Sequence, residues 1–304
     1  MDNLIITNNR QDVEIFKNMN DYLEHISLTK SVTTFKSYQG KLKVFVAWYK
    51  VTPITSKIKI HLEKYRDYIN SKYSTAKSKN FYISVIRSFY KWLHENDYIE
   101  YDPTAKLKNF KQSETHSRVG LSKYQEHDLL EHIASATGCN ADRNRVIILL
   151  ALQNGLRVSE IANVKLEDIS LREDDHVIYL LRKGYEDKSC YTILQPRTYN
   201  LLMEFIGNRT EGYMFQSYRT KDKIVTESMS RIIKSVLVDA GIDDARITPH
   251  SLRNTCATNA YKNGADVFEI MRMLNHANVS TTQLYIKSIS RHEHAAEKKV
   301  HFEW

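Results

Sequence analysis

The chain has 304 residues, enough for two domains that each bury a core. Apolar residues make up 42% and charged residues 26%, which excludes a disordered chain. The longest unbroken apolar run, residues 146–152, is too short to cross a bilayer, so no membrane role is expected. The net charge of +8 is unevenly placed. Residues 1–112 hold 19 Lys and Arg against 11 Asp and Glu, whereas residues 113–304 hold 25 of each. Between Lys30 and Lys91 there are 14 basic residues, opposed only by Glu63 and Asp67. A solvated face normally mixes both signs, so this concentration points to nucleic acid. The first twelve residues, MDNLIITNNRQD, lack the basic and apolar parts of a signal peptide. Three cysteines, Cys139, Cys190 and Cys256, an odd number with no CxxC pair, read as reduced, buried thiols in a cytoplasmic protein and not as a zinc site.

The elements follow in chain order. Residues 12–26 carry apolar side chains at helical spacing, and residues 31–49 repeat the pattern with Phe35, Tyr38, Leu42, Phe45, Val46 and Tyr49 until Pro53 breaks it. Residues 58–69 and 74–96 make a third and a fourth helix, the last with a stripe of Phe81, Val85, Phe89 and Leu93. The many aromatic residues of this half follow helical spacing, so they belong to a core and not to a base-stacking platform. Residues 104–120 are polar, with basic Lys106, Lys108 and Lys111, and read as a crossing between domains that could run along nucleic acid. The domain boundaries are set at 1–111, a linker at 112–119, and 120–304.

Ser122 caps a helix expected to run through Leu130. A strongly apolar helix over 140–153 is ended by Asn154-Gly155, and a tight turn through Arg157 leads into a short helix at 160–163. Residues 176–181 and 190–194 are β-rich, with a polar hairpin tip between them at 182–189. Helices are expected over 196–206, 226–240, 249–263 and 265–274. The fold class is therefore mainly α, a four-helix bundle followed by a mostly helical domain with a small antiparallel sheet.

One constellation stands out. Thr248-Pro249 opens a helix that places His250 and Arg253 three residues apart on one face, near the positive end of the helix. A helix N-terminus with an arginine fork is a natural phosphate seat. Residues 280–283, STTQ, have the form of a capping box that would carry Tyr285 in its second turn. Read singly, each residue has an ordinary explanation. Arg157 can pair with Glu160, His276 can be solvated, and Tyr285 can be core. Their order, Arg157, a lysine hairpin, His250 with Arg253, His276 and Tyr285, suits attack on a phosphodiester by a phenol.

These residues carry a resemblance. Residues 155–160 (GLRVSE), 182–188 (RKGYEDK), 248–258 (TPHSLRNTCAT) and 264–285 (GADVFEIMRMLNHANVSTTQLY) resemble the tyrosine recombinase, or phage integrase, family over about residues 120–290. The basic region ahead of them resembles the family's SAM-like core-binding domain, without a specific motif. The resemblance implies catalysis by Arg157, Lys183, His250, Arg253, His276 and the nucleophile Tyr285. Arg157 and Arg253 would hold the phosphate oxygens, His250 would assist proton removal or position the phosphate, and His276 would bond a phosphate oxygen. Lys183 would protonate the departing hydroxyl, with Lys188 the alternative, and Glu160 would support the shell. Asn254 and Asn275 stand where relatives often carry other residues. Lys36, Lys41, Lys43, Lys77, Lys79 and Arg87 are candidate DNA contacts.

The implied reaction is site-specific recombination through a 3′-phosphotyrosine and a Holliday junction, independent of cofactor, metal and ATP. The implied partner is double-stranded DNA with inverted-repeat sites. A homotetramer exchanging its C-terminal helices, residues 286–304, is expected, and accessory DNA-bending proteins are compatible with it. With about ten residues before the first helix, the chain is similar to the short two-domain members, either Xer-like or the integrase of a mobile element. Type IB topoisomerase-like relaxation and a non-catalytic DNA-binding relative are the alternatives.

Overall fold

The computed structural model describes residues 10–52, 57–112, 119–181, 187–217 and 219–275, and side chains from residue 17 onward. The chain divides into two compact units, residues 1–115 and 116–304. Among the described residues no helix is long and apolar enough to cross a membrane.

The first unit contains α1 (Arg10–Thr29), α2 (Val32–Val51), α3 (Ile58–Lys72) and α4 (Ala76–Glu95). Two of the starts are chemically marked. The Ser31 hydroxyl accepts the Thr34 amide at 3.3 Å, and the Thr75 hydroxyl accepts the Ser78 amide at the same distance. Each such cap contributes about 1 kcal/mol. The apolar stripe of α4, from Tyr82 and Ile83 to Leu93, faces α1, α2 and α3. Phe45, Tyr65 and Phe89 are fully buried, with Phe45 edge-on to Tyr65 at 4.9 Å. Truncating any of these rings would cost about 3–5 kcal/mol. The aromatic residues of this half are thus largely core, as their spacing requires.

The stretch after α4 departs from the expected linker. Leu107 is buried, Arg87 donates to its carbonyl at 2.7 Å, and Arg66 donates to that of Lys108 at 2.9 Å. The Asn80 side chain exchanges two hydrogen bonds with the backbone of Phe110. Residues 104–110 are therefore pinned to the bundle by side chains of α3 and α4. Their polarity concealed this, because the bonds join positions far apart in sequence.

The second unit is built around α6 (Ala141–Leu152), whose residues Val146–Leu152 are all buried. A helix apolar on every side must be covered on every side. It is covered by α5 (Lys123–Ser135), α7 (Val158–Asn163), α8 (Pro196–Ile206), α9 (Thr226–Asp239) and α10 (Pro249–Lys262). Among the described residues the remaining helix is α11 (Val267–Met273), and one 3-10 turn spans Leu166–Asp168. α5 runs five residues beyond its expected end at Leu130, since Ile133 on its next turn still packs in the core.

The sheet has three antiparallel strands in the order β1 (Ile169–Arg172), β2 (Asp175–Leu180) and β3 (Cys190–Ile193). Ile169 pairs with Ile178, and Val177 pairs with Ile193. The sequence showed β2 and β3 but not β1. This edge strand has one half-buried residue and three exposed ones, so it lacks the alternation that marks a strand.

Candidate active site

The site begins where α6 stops. Leu156 N–H returns to the Leu150 carbonyl at 3.1 Å, closing the helix over Gly155 in the left-handed region at φ 62°. A Cβ on Gly155 would stand 2.5 Å from Leu274 Cδ2 and 3.2 Å from Cys256 Sγ. Both the positive φ and the close approach require glycine here. The chain emerges extended through Arg157, the residue that precedes α7.

Glu160, buried in the first turn of α7, holds Arg157 twice. Oε2 accepts the Arg157 amide at 2.7 Å, and Oε1 accepts Nη1 at 2.5 Å. Oε2 also lies 3.6 Å from Nη1 of Arg253. One carboxylate therefore sits between two guanidiniums, one from the residue that leads into α7 and one from α10. The Arg157 side chain is 32% exposed, whereas that of Arg253 is 2% exposed. Arg253 is also bonded to two backbone carbonyls, donating from Nη1 to Gly155 and from Nη2 to Leu274.

α10 starts as its sequence requires, with Pro249 in the first turn and the Ser251 hydroxyl accepting the Thr248 amide at 3.1 Å. His250 lies half-buried in that turn, one residue triplet before Arg253. Cys256, one turn further, donates to the Gln153 carbonyl at 3.2 Å, and burial pushes its thiol up to about 12. One buried carboxylate against two guanidiniums leaves a net positive charge at this point, suited to a phosphate oxyanion.

The structure thus brings Arg157, Glu160 and Arg253 together, with His250 on the same helix as Arg253. Lys183, His276 and Tyr285 lie outside the described residues. Lys188, the alternative general acid, is ion-paired with Asp168, whose Oδ2 also accepts the Lys165 amide at 2.6 Å. Sequence reasoning missed Asp168, although its place three residues after Lys165 is a capping spacing. It also missed the carbonyls of Gly155 and Leu274, which have no side-chain signature.

Of the candidate DNA contacts, Lys36, Lys43 and Lys77 are exposed. Lys41 lies 4.9 Å over the Phe81 ring, and Lys79 donates to Asn70 Oδ1 at 2.8 Å. Arg87 is engaged with Leu107 and Asn109 of its own unit.

The family model described as "Phage integrase family" matches residues 120–292, and "Phage integrase, N-terminal SAM-like domain" matches residues 19–96. The chain belongs to the phage integrase family: it is a tyrosine recombinase, an enzyme of site-specific DNA recombination. Within that class it is similar to the Xer proteins. It is 30% identical over 231 residues to the tyrosine recombinase XerA of Pyrococcus furiosus, covering 74% of each chain. It is 25% identical over 288 residues to the tyrosine recombinase XerD of Listeria monocytogenes, covering 88% of this chain and 94% of that protein. Its fold is shared with a XerH site-specific recombinase bound to palindromic difH substrate, at a TM-score of 0.73 and 17% identity, over 96% of this chain and 90% of that one.

Proposed function

We propose that Tyr285 attacks a DNA phosphodiester and that the enzyme keeps the broken end as a 3′-phosphotyrosine. The observation that carries this reading is the single buried carboxylate of Glu160 between Arg157 and Arg253. It fixes two guanidiniums before any substrate arrives, the preorganisation that a developing phosphorane charge requires. Arg157 and Arg253 hold the non-bridging oxygens, and losing either contact costs about a hundredfold in rate. His250 assists removal of the tyrosine proton or positions the phosphate, and His276 bonds a phosphate oxygen. Lys183 gives its proton to the departing 5′-hydroxyl. The bond energy stays in the phosphotyrosine, so rejoining needs no ATP, and the arginines take the charge-neutralising part that a metal plays elsewhere.

The wider reaction is exchange between two inverted-repeat sites by a homotetramer, through a Holliday junction. The basic first unit, with Lys36, Lys43 and Lys77 at its exposed surface, grips the duplex. The C-terminal residues 286–304 dock on the neighbouring subunit. XerH bound to its palindromic difH substrate, named above, and lambda integrase "bound to DNA", at a TM-score of 0.64 and 17% identity, share the fold that this reading uses.

A nicked suicide substrate tests the chemistry. The wild-type protein should accumulate a covalent adduct, and Tyr285→Phe should not. An adduct formed by Tyr285→Phe removes the nucleophile assignment, and relaxation of supercoiled DNA without exchange would favour a type IB topoisomerase. Deleting residues 293–304 should abolish tetramers on DNA, and unchanged assembly would overturn the docking.

A further inference from the structure

The turn that ends α6 gives each of its residues a separate partner. Gln153 binds α8, its Oε1 accepting the Thr198 hydroxyl at 2.5 Å. Gly155 offers its carbonyl to Arg253, and Arg157 donates its amide to Glu160. Between them Asn154, buried at 6% exposure, turns to the sheet. Its Nδ2 donates to the Thr192 hydroxyl at 2.9 Å and to the Ile193 carbonyl at 2.7 Å, and both residues belong to β3. A carbonyl can only accept, so the amide nitrogen has to face the strand. Both N–H groups of Asn154 are thereby committed to β3.

The strand offers what these bonds need. β3 stands at the end of the strand order, with β2 beside it. Ile193 lies opposite Val177, and the next pair closes through Leu194 N–H and the His176 carbonyl at 2.8 Å. Hydrogen-bonded and non-bonded pairs alternate in an antiparallel ladder, so the Ile193 carbonyl points away from β2 to the outer edge. Asn154 supplies the donor that such an edge carbonyl requires. Two bonds to successive residues hold the strand against both sliding and pivoting. The stretch that joins β2 to β3 carries Lys183 in its sequence. Toward the end of that stretch Lys188 is paired with Asp168. The strand into which this stretch runs is therefore fixed to the same turn that presents Arg157 and the carbonyl for Arg253.

We infer that Asn154 is a positioning residue for expulsion of the leaving group: through β3 it sets Lys183 against the phosphate that the two arginines hold. The inference rests on the reading of Lys183 as proton donor. In that step Tyr285 Oη bonds to phosphorus as the bond to the 5′-oxygen breaks. The phenol proton passes to His250. The departing oxygen keeps the bonding pair and takes a proton from the Lys183 ammonium. A misplacement of about 1 Å can cost such a step about a hundredfold in rate.

The full-length protein is assayed for adduct formation on two suicide substrates, one with the ordinary 5′-bridging oxygen and one with sulfur in its place, whose departure needs no proton. Asn154→Ala should bind both with the wild-type affinity. It should cleave the oxygen substrate about tenfold or more slowly, and the sulfur substrate at close to the wild-type rate. Thr192→Val removes one of the two bonds, so it should show the same pattern with a smaller loss, and it decides the matter if Asn154→Ala does not fold. Arg253→Lys should be slow on both substrates, because sulfur does not replace a phosphate contact. A purely structural role for Asn154 would likewise slow both substrates alike. If Lys183→Ala is slow on both, the proton-donor reading of Lys183 falls and the inference falls with it. If Lys183→Ala recovers on sulfur, two results overturn the inference alone: Asn154→Ala and Thr192→Val remain slow on both substrates, or both cleave the oxygen substrate as the wild type does.

Discussion

Glu160→Gln is the substitution that interrogates the site most directly, because it removes one charge and no volume. The carboxylate accepts two bonds from Arg157, one at each oxygen, and lies 3.6 Å from Arg253. Glutamine offers one oxygen and one NH2, so its nitrogen must face either the Arg157 amide or a guanidinium, both of which are donors. The buried Arg253 loses the charge of Glu160 and keeps its bonds to the carbonyls of Gly155 and Leu274. Removing one member of a buried pair costs about 3–5 kcal/mol. The Arg253 contact is longer than a hydrogen bond and Arg157 is partly solvated, so the lower end, about 3 kcal/mol, is expected. For a domain of this size that corresponds to a fall in melting temperature of about 6–12 °C. Adduct formation on the suicide substrate should slow by about a hundredfold, since Arg157 is no longer held in place. Circular dichroism melts and adduct time courses measure the two effects. A variant that melts within about 2 °C of wild type and cleaves at the wild-type rate would refute the claim that this carboxylate organises the arginines.

Three further outcomes follow from separate observations. Gly155→Ala combines a left-handed backbone with a Cβ 2.5 Å from Leu274. Urea unfolding should show a loss of about 2–4 kcal/mol, strain and overpacking together. Asp244 is held at about 2, against an ordinary 3.8, chiefly by its hydrogen bond to the Arg246 side chain. A depressed carboxylate stabilises the fold above its unfolded value and loses that contribution as pH falls through the folded one. The difference in stability between wild type and Asp244→Asn should therefore shrink between pH 4 and pH 2. Lys183→Ala should cleave slowly and recover on a substrate with a 5′-bridging sulfur, whose departure needs no proton. Lys188→Arg, which preserves the pair with Asp168, should cleave an ordinary substrate almost normally. Sulfur rescue of the Lys188 variant alone would move the acid role to Lys188.

Much of the fold is legible in periodicity, and the failures have physical causes. The stripe of α4 and the apolar run of α6 announce themselves because burial there is continuous along the helix. Strand β1 does not, because an exposed edge needs no apolar alternation. Residues 104–110 look like a linker because Arg66, Asn80 and Arg87 hold their backbone, and a backbone acceptor leaves no mark in composition.

The candidate site divides along the same line. Glu160 can be anticipated, since it stands one helical turn after Arg157. The arrangement that buries Arg253 cannot, because two of its partners are main-chain carbonyls, of Gly155 and Leu274. What sequence does record is the space those carbonyls require. Gly155 is the position at which a Cβ would strike Leu274 and Cys256, so its missing side chain lets α10 lie against the end of α6. Only at that separation can Arg253 reach the Gly155 carbonyl and the carboxylate of Glu160 together. The glycine before Leu156-Arg157 and the arginine of α10 are therefore parts of one device, in which backbone contact sets the spacing of the two guanidiniums.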